Sequence, residues 1–279
     1  MPELPEVRAH AERLTEAYAG SALQRFTAIS FTALKTATPP PDAAVGNDLV
    51  RVATRGKLLV LDFAPVSFVV HLMQGGRLKP DEKQSARPQG GLARWVLGDG
   101  RALLLTEAGK DRKAGVWVRE GDPNAQEPLD DLGPDADAVT VDELRTIVRA
   151  RPSMRLHGFL RDQHGVAGLG RRLANEICHT AKLSPFTSTS KLDDDEIERL
   201  HAAMVRCIDE SLAYERTRDD MSSSKERPGA VHHRTKEPCP VCGDVVRAVE
   251  YNRYTVNYCA TCQTGGKVLA DNTTSRFLK

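Results

Sequence analysis

The sequence predicts an α+β protein: a β-sandwich or barrel carrying one N-terminal helix, then a helical half that ends in a four-cysteine ribbon. Three observations carry this expectation. Short apolar runs broken by turn residues occupy 22–118, apolar residues at helical spacing dominate the second half, and four cysteines crowd into residues 239–262. At 279 residues the chain has room for two domains of ordinary size.

The first helix is predicted over 5–19. Val7, Ala11, Leu14 and Tyr18 recur at spacings of three and four, Pro5 suits a first turn and Gly20 a C-terminal stop. Strands follow. KLLVLDF (57–63) and SFVVHLM (67–73) flank a Pro-containing turn, and RWVL (94–97) and ALLLT (102–106) flank Gly98-Asp99-Gly100, a hairpin signal. Residues 120–139 are acidic, polar and rich in Pro and Gly, and read as the connection between the halves. Helices are expected over 141–150 and 171–180. A longer one starts near Asp194 and places Ile197, Leu200, Met204, Ile208 and Leu212 on one face. Residues 216–237 are polar and aperiodic, the pattern of a mobile loop. Cys178 and Cys207 stand alone in helical patterns, as buried small hydrophobes do.

Composition narrows the class. Hydrophobic residues make up 40% and charged residues 28%, as in a soluble globular protein. No run approaches the roughly 20 apolar residues of a membrane span, so no membrane partner is expected. MPELPEV has neither a basic nor an apolar signal region, so the expected compartment is the cytoplasm. Net charge is only +1, yet between Arg145 and Ser190 eight cations face two anions. That basic segment fits a local anionic partner or, equally, a solvated helix face.

Cys239-Pro-Val-Cys242 and Cys259-Ala-Thr-Cys262 give C-x2-C-x16-C-x2-C, the spacing of a four-thiolate zinc site. Two such knuckles close a tetrahedron with no open position, so one structural zinc ion is expected. The intervening VVRAVEYNRYTVNY alternates as a hairpin would. At the other end, removal of Met1 would expose the secondary amine of Pro2. An α-amino group titrates near pH 8, so a useful fraction is nucleophilic at neutrality. Attack on a sugar C1′ would give an iminium, and Glu3 is placed to move protons. Position alone does not decide this, because proline at position 2 is common.

MPELPEV and the ribbon, with RGKLLVLDF, HLMQGGRL, LDDLGPDA, DQHGVAGLGRRLANEI and VHHRTKEPCPVCG in the same order, resemble the formamidopyrimidine-DNA glycosylase/endonuclease VIII family. The similarity runs from Pro2 to Gln263. It implies a helix-flanked β-sandwich catalytic domain (2–122), a linker (123–137), a helix-two-turn-helix domain (138–232), a zinc finger (233–264) and a C-terminal extension (265–279). It implies a monomeric base-excision enzyme that acts on damaged DNA, duplex or single-stranded, flips the nucleotide out, and associates with the nucleoid when acting. Pro2 matches the family nucleophile, Glu3 the residue that protonates the sugar ring oxygen, Glu6 a supporting acid, and Lys57 the strand lysine on the flanking phosphates. DNA contacts are implied for Met73, Gln74, Arg112, Gly170, Arg171, Arg234, Arg253 and Tyr254. Amine attack displaces the base, and β,δ-elimination cuts the strand, with no redox or catalytic cofactor.

Three departures shape the expected specificity. Gln74 stands at the family's gap-filling Met, with Met73 beside it, and Ala114 stands at the gap-filling Phe. Gly170-Arg171 replaces Gly-Asn. Tyr254 takes the place of the ribbon arginine, with Arg253 before it. Weak gap filling points to oxidised pyrimidines or lesions in open DNA and to an endonuclease VIII-like branch. The alternatives are oxidised purines (8-oxoguanine, formamidopyrimidine) and a catalytically silent relative that binds abasic sites. Joint presence of Pro2, Glu3 and Lys57 favours the enzyme.

Overall fold

The apolar runs of the first half form two four-stranded antiparallel sheets. In chain order the strands are β1 (Leu23–Ala28), β2 (Arg51–Arg55), β3 (Leu58–Phe63), β4 (Val66–His71), β5 (Gly76–Pro80), β6 (Gly91–Leu97), β7 (Ala102–Glu107) and β8 (Gly115–Glu120). One sheet has the order β1-β6-β7-β5 and the other β2-β3-β4-β8. This is a sandwich, which settles the choice the sequence left open. The computed structural model describes residues 2–109, 111–221, 226–251 and 254–269. The chain divides into two units, Met1–Leu132 and Gly133–Lys279.

Aromatic rings fill the space between the sheets. Phe26 of β1 stacks on Phe68 of β4 with ring centroids 5.2 Å apart, and Trp95 of β6 meets Phe68 edge-on at 5.7 Å. Side chains alternate along a strand, so β3 has a second face to cover. Leu58 and Val60 lie on that outer face with Val69, under Leu129. Leu58–Leu61 is therefore apolar at every position rather than alternating, because both faces of β3 are covered. The acidic connection is accordingly no loose tether: it carries the buried anchor Leu129.

Helix α1 (Leu4–Tyr18) binds the β2 edge of the sandwich. Thr15 Oγ1 accepts from Val52 N at 2.8 Å, satisfying a backbone donor at that edge. Nearer the start of α1, Arg8 Nε donates to Thr54 Oγ1 at 3.4 Å. Helix and strand therefore run in opposite directions, and the β2–β3 turn arrives at the N-terminal end of α1.

The second unit is helical: α2 (Val141–Arg149), α3 (Leu156–Phe159), α4 (Arg171–Thr180) and α5 (Asp194–Arg216), followed by the hairpin β9 (Val246–Tyr251) and β10 (Tyr254–Cys259) and a short α6 (Ala260–Thr264). Capping boxes fix two helix starts, Thr140 with Glu143 at α2 and Asp193 with Glu196 at α5. Ile197, Leu200, Met204 and Ile208 are buried on α5 and Leu173 and Ile177 on α4, the two helices packing together, and Cys178 and Cys207 are buried as expected. Among the described residues no helix is long and apolar enough to cross a membrane.

Two local readings change. Three cations at the start of the basic segment are paired with acids, most of them outside it. Arg145 pairs with Asp142, Asp194 and Glu198, Arg149 with Asp194, and Arg151 with Asp162. The start of α5 supplies two of these acids, Asp194 and Glu198. The presumed mobile loop also has a fixed part, since described residues 226–237 are fastened to α4 as detailed below.

Candidate active site and metal centre

The first unit buries an unusual set of ionisable groups at the start of α1. Pro2 is buried, and Glu3, Glu6 and Lys57 are only 4%, 3% and 6% exposed. Such residues are rarely buried without a partner or a task. Glu3 is the N-cap of α1 in extended conformation. Its backbone N–H donates to Glu6 Oε2 at 3.0 Å, one arm of a capping box. Glu6 thus fixes the backbone next to Pro2. The helix N-terminus favours negative charge at this end of α1.

Lys57 sits in the two-residue turn Gly56-Lys57, one step before β3, rather than in the strand itself. Gly56 takes the positive φ of 56° that such a hairpin turn requires. Hairpin geometry, not strand register, therefore aims Lys57. Next to it, His71 ends β4 opposite Leu58. Burial and the Lys57 cation hold its imidazole below the usual value, with Glu107 opposing them.

The two candidate lesion-reading segments also belong to this unit. Met73 and Gln74 occupy the turn between β4 and β5. Met73 is half-buried at φ 54°, a left-handed conformation uncommon outside glycine, and Gln74 is exposed. In the other segment Arg112 is exposed, whereas Ala114 is 2% exposed and donates its N–H to Glu107 Oε2 at 2.7 Å.

In the second unit Gly170 is the extended N-cap of α4, and Arg171 is its exposed first residue. The preceding turn is held by Gln163, whose Oε1 accepts from Gly168 N at 3.0 Å and whose Nε2 donates to Leu169 O at 2.9 Å. Tyr254 stacks on Tyr251 at 4.7 Å and on His157 at 5.9 Å, with the Arg161 guanidinium 4.3 Å from its ring centre. Burial, with help from Arg161, pushes the His157 imidazole down to about 3, so it stacks as a neutral ring. Arg234 is engaged internally: it pairs with Glu237 at 2.8 Å and donates to the carbonyls of Gly229, Ala230 and Pro238. Arg253 lies outside the described residues.

The four ribbon cysteines converge, with all sulfurs within 4.8 Å of one another. Cys242 and Cys259 sulfurs are 3.3 Å apart, and those of Cys239 and Cys262 are 3.9 Å apart. Sulfurs around a tetrahedral zinc with Zn–S near 2.3 Å would stand about 3.8 Å apart, so the donor set fits that ion. Gly243, at φ 79°, closes the first knuckle by donating to Cys239 O at 2.9 Å. Residues the spacing did not single out support it. His179 Nε2 lies 3.3 Å from Cys239 Sγ, in place to donate from α4 to a ligand.

Helix α4 holds the approach to the ribbon as well. Glu176 accepts from Ala230 N, Val231 N and His232 N at 2.8, 3.1 and 2.7 Å. Four residues earlier, Arg172 donates to the carbonyls of Arg227 and Pro228. Asn175 contacts His232 Nδ1 and accepts from Asn257 N. The i, i+4 spacing of Arg172 and Glu176 on a helix could have flagged them as a pair, though not their backbone partners. Glu176→Ala should destabilise the second unit by about 2–3 kcal/mol, because three donors lose a charged acceptor. Urea denaturation followed by tyrosine and far-ultraviolet signals checks this; an unchanged midpoint would show that water replaces the carboxylate without loss.

Comparison with known proteins agrees with this layout. Residues 1–115 match the formamidopyrimidine-DNA glycosylase N-terminal domain, and residues 132–223 match the formamidopyrimidine-DNA glycosylase H2TH domain. An uncharacterised formamidopyrimidine-DNA glycosylase-like protein of Mycobacterium tuberculosis is 41% identical over 150 residues, covering 53% of this chain and 94% of its own length. The formamidopyrimidine-DNA glycosylase of Listeria monocytogenes is 27% identical over 277 residues, 94% of this chain and 100% of that one. The fold is shared with Lactococcus lactis formamidopyrimidine-DNA glycosylase bound non-covalently to DNA containing an AP site, at a TM-score of 0.82 and 20% identity over 94% of this chain and 99% of that one. With both family domains in order, and an α+β fold that ends in a cluster of four cysteines, the chain belongs to the formamidopyrimidine-DNA glycosylase family of DNA-repair enzymes.

Proposed function

We propose that this chain is a bifunctional DNA glycosylase and AP lyase whose nucleophile is the amine of Pro2 after removal of Met1. The observation that carries this reading is the buried start of α1: Glu6 holds the Glu3 backbone next to buried Pro2, and the Lys57 turn arrives at the same end of the helix. The amine lone pair attacks C1′, and the bond from C1′ to the damaged base breaks. Glu3 protonates the sugar ring oxygen, which opens the ring and leaves an iminium. That iminium is the electron sink for loss of the C2′ proton and departure of the 3′ phosphate, and a second elimination releases the 5′ phosphate. Lys57 offers a cation to the charge developing on a departing phosphate.

For the lesion, we favour oxidised pyrimidines or damage in open DNA, in the manner of an endonuclease VIII-like branch. Ala114 is tucked against Glu107 and Gln74 is exposed and polar, so a tight wedge against the opposite base is lacking in these two positions. Arg112, Arg171 and the start of α4 are the surfaces we assign to DNA, an N-terminal helix end being favourable for phosphate. Cys239, Cys242, Cys259 and Cys262 hold one structural zinc.

Borohydride trapping on oligonucleotides carrying an abasic site, 5-hydroxyuracil or 8-oxoguanine tests the reading. A covalent adduct is expected with Met1-processed protein, with faster base release from 5-hydroxyuracil than from 8-oxoguanine. No adduct on any substrate overturns the lyase; the reverse preference overturns the lesion class.

A further inference from the structure

The geometry points to Glu107 as a positioning residue that fixes the Arg112 segment against the Met73–Gln74 turn. This rests on the reading of those segments and of Pro2 given above. Glu107 ends β7 and pairs with Gly76, the first residue of β5. It is 5% exposed, and its backbone N–H donates to Gly90 O at 3.0 Å. One carboxylate oxygen, Oε2, accepts from two consecutive backbone donors, Lys113 N at 2.6 Å and Ala114 N at 2.7 Å. Two N–H groups converging on one atom suit a charged acceptor far better than a neutral one. Asp111, Arg112 and Lys113 are exposed, so this anchor sets the base from which Arg112 projects.

The other side of Glu107 meets the second segment. A Cβ placed on Gly75 would stand 3.6 Å from Glu107 Cγ and 3.4 Å from Ala108 O. The turn that holds Met73 therefore rests on the end of β7. It closes by donation from Gly76 N to Leu72 O at 2.8 Å, with Met73 held at φ 54°. One residue thus bears on both segments assigned to the space left by a flipped base, and it does so through backbone and buried atoms rather than by touching DNA. A positioning residue of this kind should matter for base release from a lesion. It should matter little for amine attack on an abasic site, which has no base to displace.

The test compares wild type, Glu107→Ala, Glu107→Gln and Arg112→Ala. Trypsin without DNA should cut Glu107→Ala faster after Arg112 or Lys113, as identified by mass spectrometry, with Glu107→Gln in between. Single-turnover base release should fall about tenfold to a hundredfold in Glu107→Ala, the range for misplaced groups. Trapping on a preformed abasic site should stay within about twofold. Adding Glu107→Ala to Arg112→Ala should cost much less than it does alone, because both act through one segment. Equal loss of base release and trapping would mark Glu107 as merely structural and overturn the assignment, as would unchanged proteolysis or additive effects with Arg112→Ala. If the wild-type chain itself neither traps nor releases base, the proposed function falls, and that result is distinct because it needs no variant.

Discussion

Protein that retains Met1, or whose N-terminus is acetylated, should give essentially no borohydride-trapped adduct, a loss on the order of 10³-fold or more by analogy with removal of a covalent nucleophile. The reason is electronic. In an amide the nitrogen lone pair is delocalised into the carbonyl, so Pro2 cannot attack C1′ until it is the chain terminus. Pro2→Gly should do less damage, because a primary amine remains, but it loses the ring that pre-sets φ. The N-cap geometry of Glu3 and its bond to Glu6 would persist. Affinity for an uncleavable abasic analogue should change little in both proteins, because salt-dependent phosphate binding does not use the Pro2 lone pair. Mass spectrometry of the intact chain scores Met1 occupancy, and trapping yield is read against it. Full trapping by protein with every Met1 retained would remove Pro2 as the nucleophile and direct attention to a lysine.

Much of this layout was legible because its determinants are local. The α1 periodicity from Val7 to Tyr18, the Gly98-Asp99-Gly100 hairpin, the Arg171–Thr180 helix and the C-x2-C pairs each encode their element within a short window. What the sequence left hidden depends on long-range partners. The positive charge of 145–190 looked available because Asp194 and Glu198, which neutralise Arg145, lie beyond the window counted. Residues 226–237 looked free because aperiodic chains often are, whereas Arg172 and Glu176 hold their backbone from 54 or more residues away. Glu107 was invisible for a similar reason: its partners are backbone amides, and no side-chain pattern announces them. The same holds for Leu269, at the start of the C-terminal extension. Its N–H donates to the Tyr258 hydroxyl at 2.8 Å, so at least that part of the extension covers the ribbon.

Zinc content should be one ion per chain, and losing it should cost the ribbon its structure. The hairpin β9–β10 is only two strands, too few to be stable alone in water. Its buried members Val246, Val249 and Tyr258 form small clusters rather than an extensive core. Four thiolates on one ion supply an apparent stabilisation of about 10–16 kcal/mol in zinc-finger peptides at neutral pH, far more than those clusters can provide. Cys242→Ser is the informative variant. Cys242 is exposed, so the substitution leaves no cavity and acts through the metal. It should lower zinc occupancy, speed trypsin cleavage after Arg247, and weaken binding to abasic-site duplex. Each of these should be partly reversed by added zinc. His179→Ala, which removes the donor beside Cys239, should lower zinc affinity by about 10–100-fold, as loss of an outer-shell partner does. Bound zinc below half an ion per wild-type chain, or a Cys242→Ser protein with unaltered proteolysis and DNA affinity, would show that hairpin and α4 contacts hold the ribbon without metal. The thiols would then be spectators, and the bond from His179 would serve only to join the helix to the hairpin.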